Sequence, residues 1–289
     1  MILPQKKQQT LNNIVADLKQ IENIMAIVLG GSYAMGTATD ASDLDIGIYY
    51  YEKKPFSLDD IRSVAKKYAI NNDLTVTGFY EWGPWVNGGA WIETASRKVD
   101  FLYRNIEQVK STIEKAKKGE WENHCEQQPP YGFLSVIYLG ETKNCIPLYD
   151  PHEIISKLKS EVRVYPIKLK ETIIQQSLWS AEFTIWHADY FLKKQDIYNT
   201  MGCLTRAVKN IVNTLFALNE IYQIGDKRAI EILEKTEKHP ANLKEKIANI
   251  LCVNKNTINN HLDVLESLFK ETMELTNGFY KPFYKLKKV

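Results

Sequence analysis

The sequence predicts an α+β protein, with a mixed β-sheet domain over residues 1–149 and a helical bundle over residues 150–289. Short apolar, β-branched runs cut by Gly and Pro turns crowd the first half, and only long helical periodicities occupy the second. A chain of 289 residues exceeds one ordinary domain, and its 44% hydrophobic content is enough to fill two cores. The first half interleaves strands and helices without a repeated βαβ unit, which predicts a small mixed sheet with helices on one side.

Leu11, Ile14, Val15, Leu18 and Ile21 recur at helical spacing and predict a helix over about 8–23. A strand is expected from Met25 to Leu29 and another from Ile46 to Tyr50. Ser57 is placed to cap a helix that buries Leu58, Ile61, Val64, Ala65 and Tyr68. Thr75 to Tyr80, Ala90 to Thr94 and Lys98 to Tyr103 read as strands, and Ile106 to Lys118 and Tyr131 to Leu139 as helices. Beyond Pro151 and Pro166 the expected helices are Ile167 to Lys194 and Thr200 to Ile221, then three more headed by Asp226, Asn242 and Thr257. The basic tail from Lys281 is expected to fray.

Composition removes several classes. No apolar run approaches the roughly 20 residues of a membrane span, and the polar start shows no signal segment, so the expectation is a cytoplasmic, soluble chain. Cys125, Cys145, Cys203 and Cys252 lie too far apart for a C-x-x-C zinc site or a disulfide framework. A net charge of +2 lacks the basic excess expected of a protein that lives on long nucleic acid.

The chemistry gathers between Ile27 and Tyr50. An apolar run ends in Gly30-Gly31-Ser32, where a helix start offers backbone N–H groups and glycines admit close approach, which makes an anion cradle. About a dozen residues on, Asp43 and Asp45 alternate with apolar Leu44 and Ile46, so both carboxylates face one way and suit a hard divalent cation. A third carboxylate, Asp100, sits in Val99-Asp-Phe-Leu-Tyr103, and Glu93 lies on a neighbouring predicted strand. Arg206 and Lys209 project together from a helix at i and i+3. Phe79, Tyr80, Trp82, Trp85 and Trp91 are dense enough to line a substrate mouth, whereas the stripe Trp179, Phe183, Trp186 and Tyr190 reads as bundle core. Glu182 and Asp189 flank that stripe and are placed to meet a cationic acceptor.

Taken together, Gly30-Gly31-Ser32, Asp43-x-Asp45 and Asp100 resemble the nucleotidyltransferase superfamily, whose fold is that of DNA polymerase β. The layout of sheet domain and helical bundle is similar to its small-molecule branch, which includes kanamycin, streptomycin and lincosamide nucleotidyltransferases. The resemblance implies that Gly31 and Ser32 hold a triphosphate, and that Asp43, Asp45 and Asp100 hold two Mg²⁺ ions about 4 Å apart. It further implies a role for Arg206 and Lys209 on the β- and γ-phosphates. The implied activity is transfer of a nucleoside monophosphate, AMP from ATP being the expected case, to a hydroxyl of a small acceptor such as an antibiotic, with release of pyrophosphate. Asp100 is the first candidate for the base that takes the hydroxyl proton, and Glu93 the second. A toxin–antitoxin or regulatory enzyme that modifies a protein or tRNA is the alternative, and the long helical half favours the first reading.

Overall fold

The structure is a computed structural model that describes residues 3–70, 74–252 and 258–282. Thr257 and the tail beyond residue 282 lie outside the described residues. The chain divides into two compact units, Met1–Glu114 with Glu122–Val164, and Lys115–Trp121 with Tyr165–Val289.

The first unit opens with α1 (Gln5–Leu18), β1 (Ala26–Leu29), α2 (Gly31–Ala34) and β2 (Leu44–Tyr50). It continues through α3 (Leu58–Tyr68), β3 (Thr75–Val76), β4 (Gly89–Thr94), β5 (Arg97–Asn105) and α4 (Ile106–Lys117). The final elements are β6 (Asn123–His124), β7 (Phe133–Leu134), α5 (Val136–Asn144), β8 (Ile146–Tyr149) and α6 (Ile154–Glu161). Six strands form one sheet in the order β3-β4-β5-β2-β1-β8, with β2 and β5 parallel and the other pairs antiparallel. β6 and β7 make a separate two-stranded ribbon.

Strand alternation sorts the sheet into two unlike faces. Ile27 and Leu29 of β1, Leu44, Ile46, Ile48 and Tyr50 of β2, Ala90 and Ile92 of β4, and Val99, Phe101 and Tyr103 of β5 share one buried cluster. Leu11, Ile14 and Leu18 of α1 and Ile61 and Ala65 of α3 belong to the same cluster, so these two helices cover that face. Ser57 caps α3 as expected, its Oγ accepting from the Asp60 amide at 3.2 Å. The opposite face carries Asp45, Gly47 and Tyr49 of β2, Asp100, Leu102 and Arg104 of β5, and Trp91 and Glu93 of β4. Towards the carboxyl ends of β2 and β5 this face is closed, because Arg104 Nε and Nη2 donate to the two Glu141 oxygens of α5 at 2.7 and 2.8 Å. Burial works against the Arg104 charge, but the Glu141 charge and these hydrogen bonds outweigh it and raise its pKa.

Several sequence expectations shift. The first helix ends at Leu18 rather than about residue 23, and the chain turns through Asn23 at φ 69° before β1. The strand expected from Thr75 to Tyr80 stops at Val76, and the chain continues in a loop that passes through the left-handed region at Tyr80 (φ 58°). Within that loop the Thr77 and Tyr80 amides still donate to the Gly89 and Asn87 carbonyls. The helix expected over Tyr131–Leu139 begins only at Val136. Gly132, at φ 92°, passes so close to the facing chain that a Cβ there would sit 2.7 Å from the Cys125 Cα, and Phe133–Leu134 pairs as a strand instead. β8, on the outer edge next to β1, lies in a segment whose Pro and polar residues hide its pairing.

The second unit consists, among the described residues, of the end of α4 with α7 (Ile167–Lys193), α8 (Ile197–Leu218), α9 (Ala229–Leu233), α10 (Leu243–Leu251) and α11 (Ile258–Glu274). Asp196 caps α8, accepting from the Asn199 amide at 3.1 Å. Asn242 is the residue before α10 but takes a left-handed backbone (φ 55°) and makes no side-chain cap bond, and Asp226 heads no helix. α7 inverts one expectation: Ile174, Leu178, Ala181 and Ile185 are buried, while Trp179, Trp186 and Tyr190 stand 41–51% exposed. Glu182 is fully buried and accepts a hydrogen bond from the Tyr280 hydroxyl, so it is not an exposed flank of that stripe.

Removing Glu141 strands the buried Arg104 charge, so Glu141→Ala should cost about 2 kcal/mol, below the full penalty of a broken buried pair because Glu141 is partly exposed. Urea unfolding of the two proteins measures it.

Candidate active site

The site is built where β1 ends beside the start of β2. The Gly30 amide donates to the Asp45 carbonyl at 2.8 Å, which extends the β1–β2 ladder into the turn. Gly31 then takes φ 56° and opens the four-residue helix α2. A Cβ at Gly31 would lie 1.8 Å from Asp45 Oδ2, so only glycine allows the turn to pass over this carboxylate. Ser32, half-buried, follows it. The first helical bond of this turn runs from the Ala34 amide to the Gly30 carbonyl at 3.2 Å, so the amides of Gly31 to Tyr33 precede it, which suits an anion.

Strand register assembles the rest. Asp45 on β2 is the direct partner of Asp100 on β5, and Asp100 is the direct partner of Trp91 on β4. Asp45 and Asp100 are half-buried, as is Asp43, which precedes β2 by one residue. Lys98 Nζ stands 3.6 Å from Asp100 Oδ1. Glu93 is exposed and pairs with Lys98, one step further from Asp45 than Trp91 is. Across one face, then, run the glycine turn, Asp45, Asp100 and an indole.

Trp91 carries a second indole. Trp82 stacks on it with ring centroids 4.4 Å apart and an interplanar angle of 24°, and is itself 46% exposed. Gly89 lies next along β4 on the Trp91 side, and a Cβ there would be 3.1 Å from the Trp91 ring and 2.3 Å from the Phe101 carbonyl. Trp85, in contrast, packs against Phe133 and Tyr138 and belongs to the core, as does Phe79 among Tyr50, Phe56 and Tyr103.

Arg206 and Lys209 belong to α8 of the second unit. Arg206 is exposed and Lys209 half-buried. Burial pushes the Asp226 carboxyl above its ordinary range while the Lys209 charge pulls it down, which marks Lys209 and Asp226 as electrostatic neighbours.

Among the described residues no three His, Cys, Asp or Glu side chains enclose an ion by themselves. The donors nevertheless fit one. Mg²⁺ prefers one or two carboxylates completed by substrate phosphates to an all-protein cage, and Asp45 opposite Asp100 beside the Gly31 turn has the donor chemistry such an ion would need.

A mixed sheet with a glycine turn packed onto one of two in-register aspartates sets an anion-suited turn beside paired carboxylates. Residues 11–125 match the nucleotidyltransferase domain family, so this part of the chain is a domain of the nucleotidyltransferase superfamily and the chain carries an enzyme domain of that class. Residues 138–228 match a second family, described as a domain of unknown function (DUF4037). Among solved structures the chain is similar to a nucleotidyltransferase-like protein from Exiguobacterium sibiricum 255-15, at 10% identity and a TM-score of 0.46, over 94% of this chain and 78% of that one. It is also similar to a CCA-adding enzyme in complex with ATP, at 12% identity and a TM-score of 0.29, over 96% of this chain and 84% of that one. No curated protein matches the chain.

The Gly31 contact sets up a controlled comparison. Gly31→Ala forces the Asp45 carboxylate aside and should lower nucleotidyl transfer about a hundredfold, as loss of carboxylate positioning does at metal sites. Gly36, at φ 71°, has open space where a Cβ would go, so Gly36→Ala meets the same backbone strain and should keep nearly full activity. Steady-state rates on both variants, with melting curves, separate strain from clash.

Proposed function

We propose that the chain transfers a nucleoside monophosphate from an NTP, with ATP the first candidate, to a hydroxyl of a small ring-bearing acceptor. The observation that carries the reading is the Asp45–Asp100 register beside the Gly31 turn. Asp43, Asp45 and Asp100 are the residues to hold Mg²⁺, whose charge, when bound, offsets that of the triphosphate and of the leaving pyrophosphate. The amides of Gly31 and Ser32 orient the β- and γ-phosphates. The acceptor oxygen bonds to the α-phosphorus, the bond from that phosphorus to the α–β bridging oxygen breaks, and pyrophosphate leaves. Asp100 takes the hydroxyl proton, since it lies nearest the centre of the site, and Glu93 is set aside at the exposed edge.

In-line displacement places the entering oxygen opposite the leaving group. With pyrophosphate on the turn after β1, the acceptor comes from across β5, the side of Trp91 and Trp82. Their stacked indoles supply a flat apolar wall for the acceptor ring. Aminoglycosides and lincosamides are the first acceptors to try. Arg206 and Lys209 enter the proposal as phosphate contacts on the family resemblance alone.

Incubation with Mg²⁺ and each α-labelled NTP across an acceptor panel, with pyrophosphate assayed in parallel, tests the reading. Asp45→Asn and Asp100→Asn should each lower transfer more than about a hundredfold, and Glu93→Gln less than tenfold. Full activity in Asp45→Asn overturns the proposal, and label on protein or RNA moves the acceptor to another class. Trp82→Ala should raise the KM for the acceptor about tenfold while leaving that for the NTP unchanged, the loss expected for one stacked ring; an equal rise in both places the wall on the nucleotide instead.

A further inference from the structure

One buried cation lies outside the machinery described so far. Lys7, in the first turns of α1, is only 4% exposed. Its ammonium donates to the Tyr33 hydroxyl at 2.8 Å, the Asp40 carbonyl at 3.0 Å and the Ser42 carbonyl at 2.7 Å, and stands 5.2 Å from the centre of the Tyr33 ring. Three donors meet three acceptors, all of them neutral. Burying an ammonium is costly, so a fully used donor set of this kind holds its acceptors firmly in place.

The acceptors are what give the contact meaning. Tyr33 belongs to α2, two residues after Gly31, whose turn packs on Asp45. Asp40 and Ser42 belong to the loop that delivers Asp43, and Ser42 is its immediate neighbour. A single side chain therefore ties the phosphate turn to the loop that carries the first carboxylate of the pair. We propose that Lys7 is a positioning residue that fixes Asp43 relative to the Gly31 turn, so that divalent-cation affinity depends on a residue that touches neither metal nor nucleotide. The inference rests on the metal-site reading above.

Geometry and charge predict opposite signs here. If Lys7 acted only through its positive charge, its removal would ease cation binding; if it acts by holding Asp43, removal weakens it. The experiment is Mn²⁺ titration of the full chain, followed by the EPR signal of the free ion, with melting curves for every variant. The wild type should bind Mn²⁺, and Asp45→Asn should abolish that binding. Lys7→Met should weaken Mn²⁺ binding about tenfold, the scale on which outer-shell partners act. Tyr33→Phe, which deletes one of the three acceptors and keeps the ring, should weaken it less, and decides the matter if Lys7→Met does not fold. Ile14→Val trims the buried face of the same helix and should lower the melting temperature without changing Mn²⁺ affinity. Wild-type or tighter binding in Lys7→Met and Tyr33→Phe overturns the proposal, as does a loss in Ile14→Val equal to that in Lys7→Met. Wild-type protein with no Asp45-dependent Mn²⁺ binding overturns the metal site itself, and the role of Lys7 with it.

Discussion

The passage of Gly31 over the Asp45 carboxylate is the constraint on which the rest of the site depends. A main chain and a carboxylate meet there at a distance no side chain would permit, and the Gly30 amide to Asp45 carbonyl bond locks the two segments in that relation. In the proposed function, an anion on the turn and a cation on the carboxylate would thereby be neighbours. Neither group is useful alone: the turn is a common connection, and a half-buried aspartate on a strand is ordinary. Their contact supplies the two chemistries that the proposed binding of a phosphate with its counter-ion would need at one position.

The sheet gives that contact its direction. One face is consumed by the core under α1 and α3, which leaves the other for Asp45, Asp100 and Trp91 in successive strands. Because partners in register point the same way, the line from turn to carboxylates to indoles is fixed by backbone hydrogen bonds rather than by flexible side chains. Such a line would suit the proposed in-line displacement, with leaving group and acceptor at its two ends. The far part of the same face is sealed by Arg104 and Glu141, so the polar residues are confined to the end near Gly31.

The fold class and the two carboxylate strands were legible because they rest on short-range rules. Alternation of Asp45 with Leu44 and Ile46 needs only the period of a strand, and Ser57 caps α3 by local geometry alone. What sequence could not show depends on distant partners. β8 is a strand because β1 offers it an edge, and Phe133–Leu134 is one because Gly132 brings it against Asn123–His124. The aromatic stripe of α7 carries the spacing of a buried face, yet the smaller Leu178, Ala181 and Ile185 take the interior and leave Trp179 and Trp186 outside. Lys7 did leave a trace: Lys7, Leu11, Ile14 and Leu18 share one helical stripe, and a lysine at the head of an apolar stripe needs buried acceptors. Its partners, 26 to 35 residues away, are not readable from that spacing.

The most direct measurement is a crystal structure of the full chain with Mg²⁺ and an NTP analogue whose α–β bridge cannot be cleaved. It should show the triphosphate on the amides of Gly31 and Ser32, an ion held by Asp45, and the face of the α-phosphorus away from pyrophosphate turned towards Asp100 and Trp91. A nucleotide bound elsewhere, or an ion held without Asp45, would contradict it.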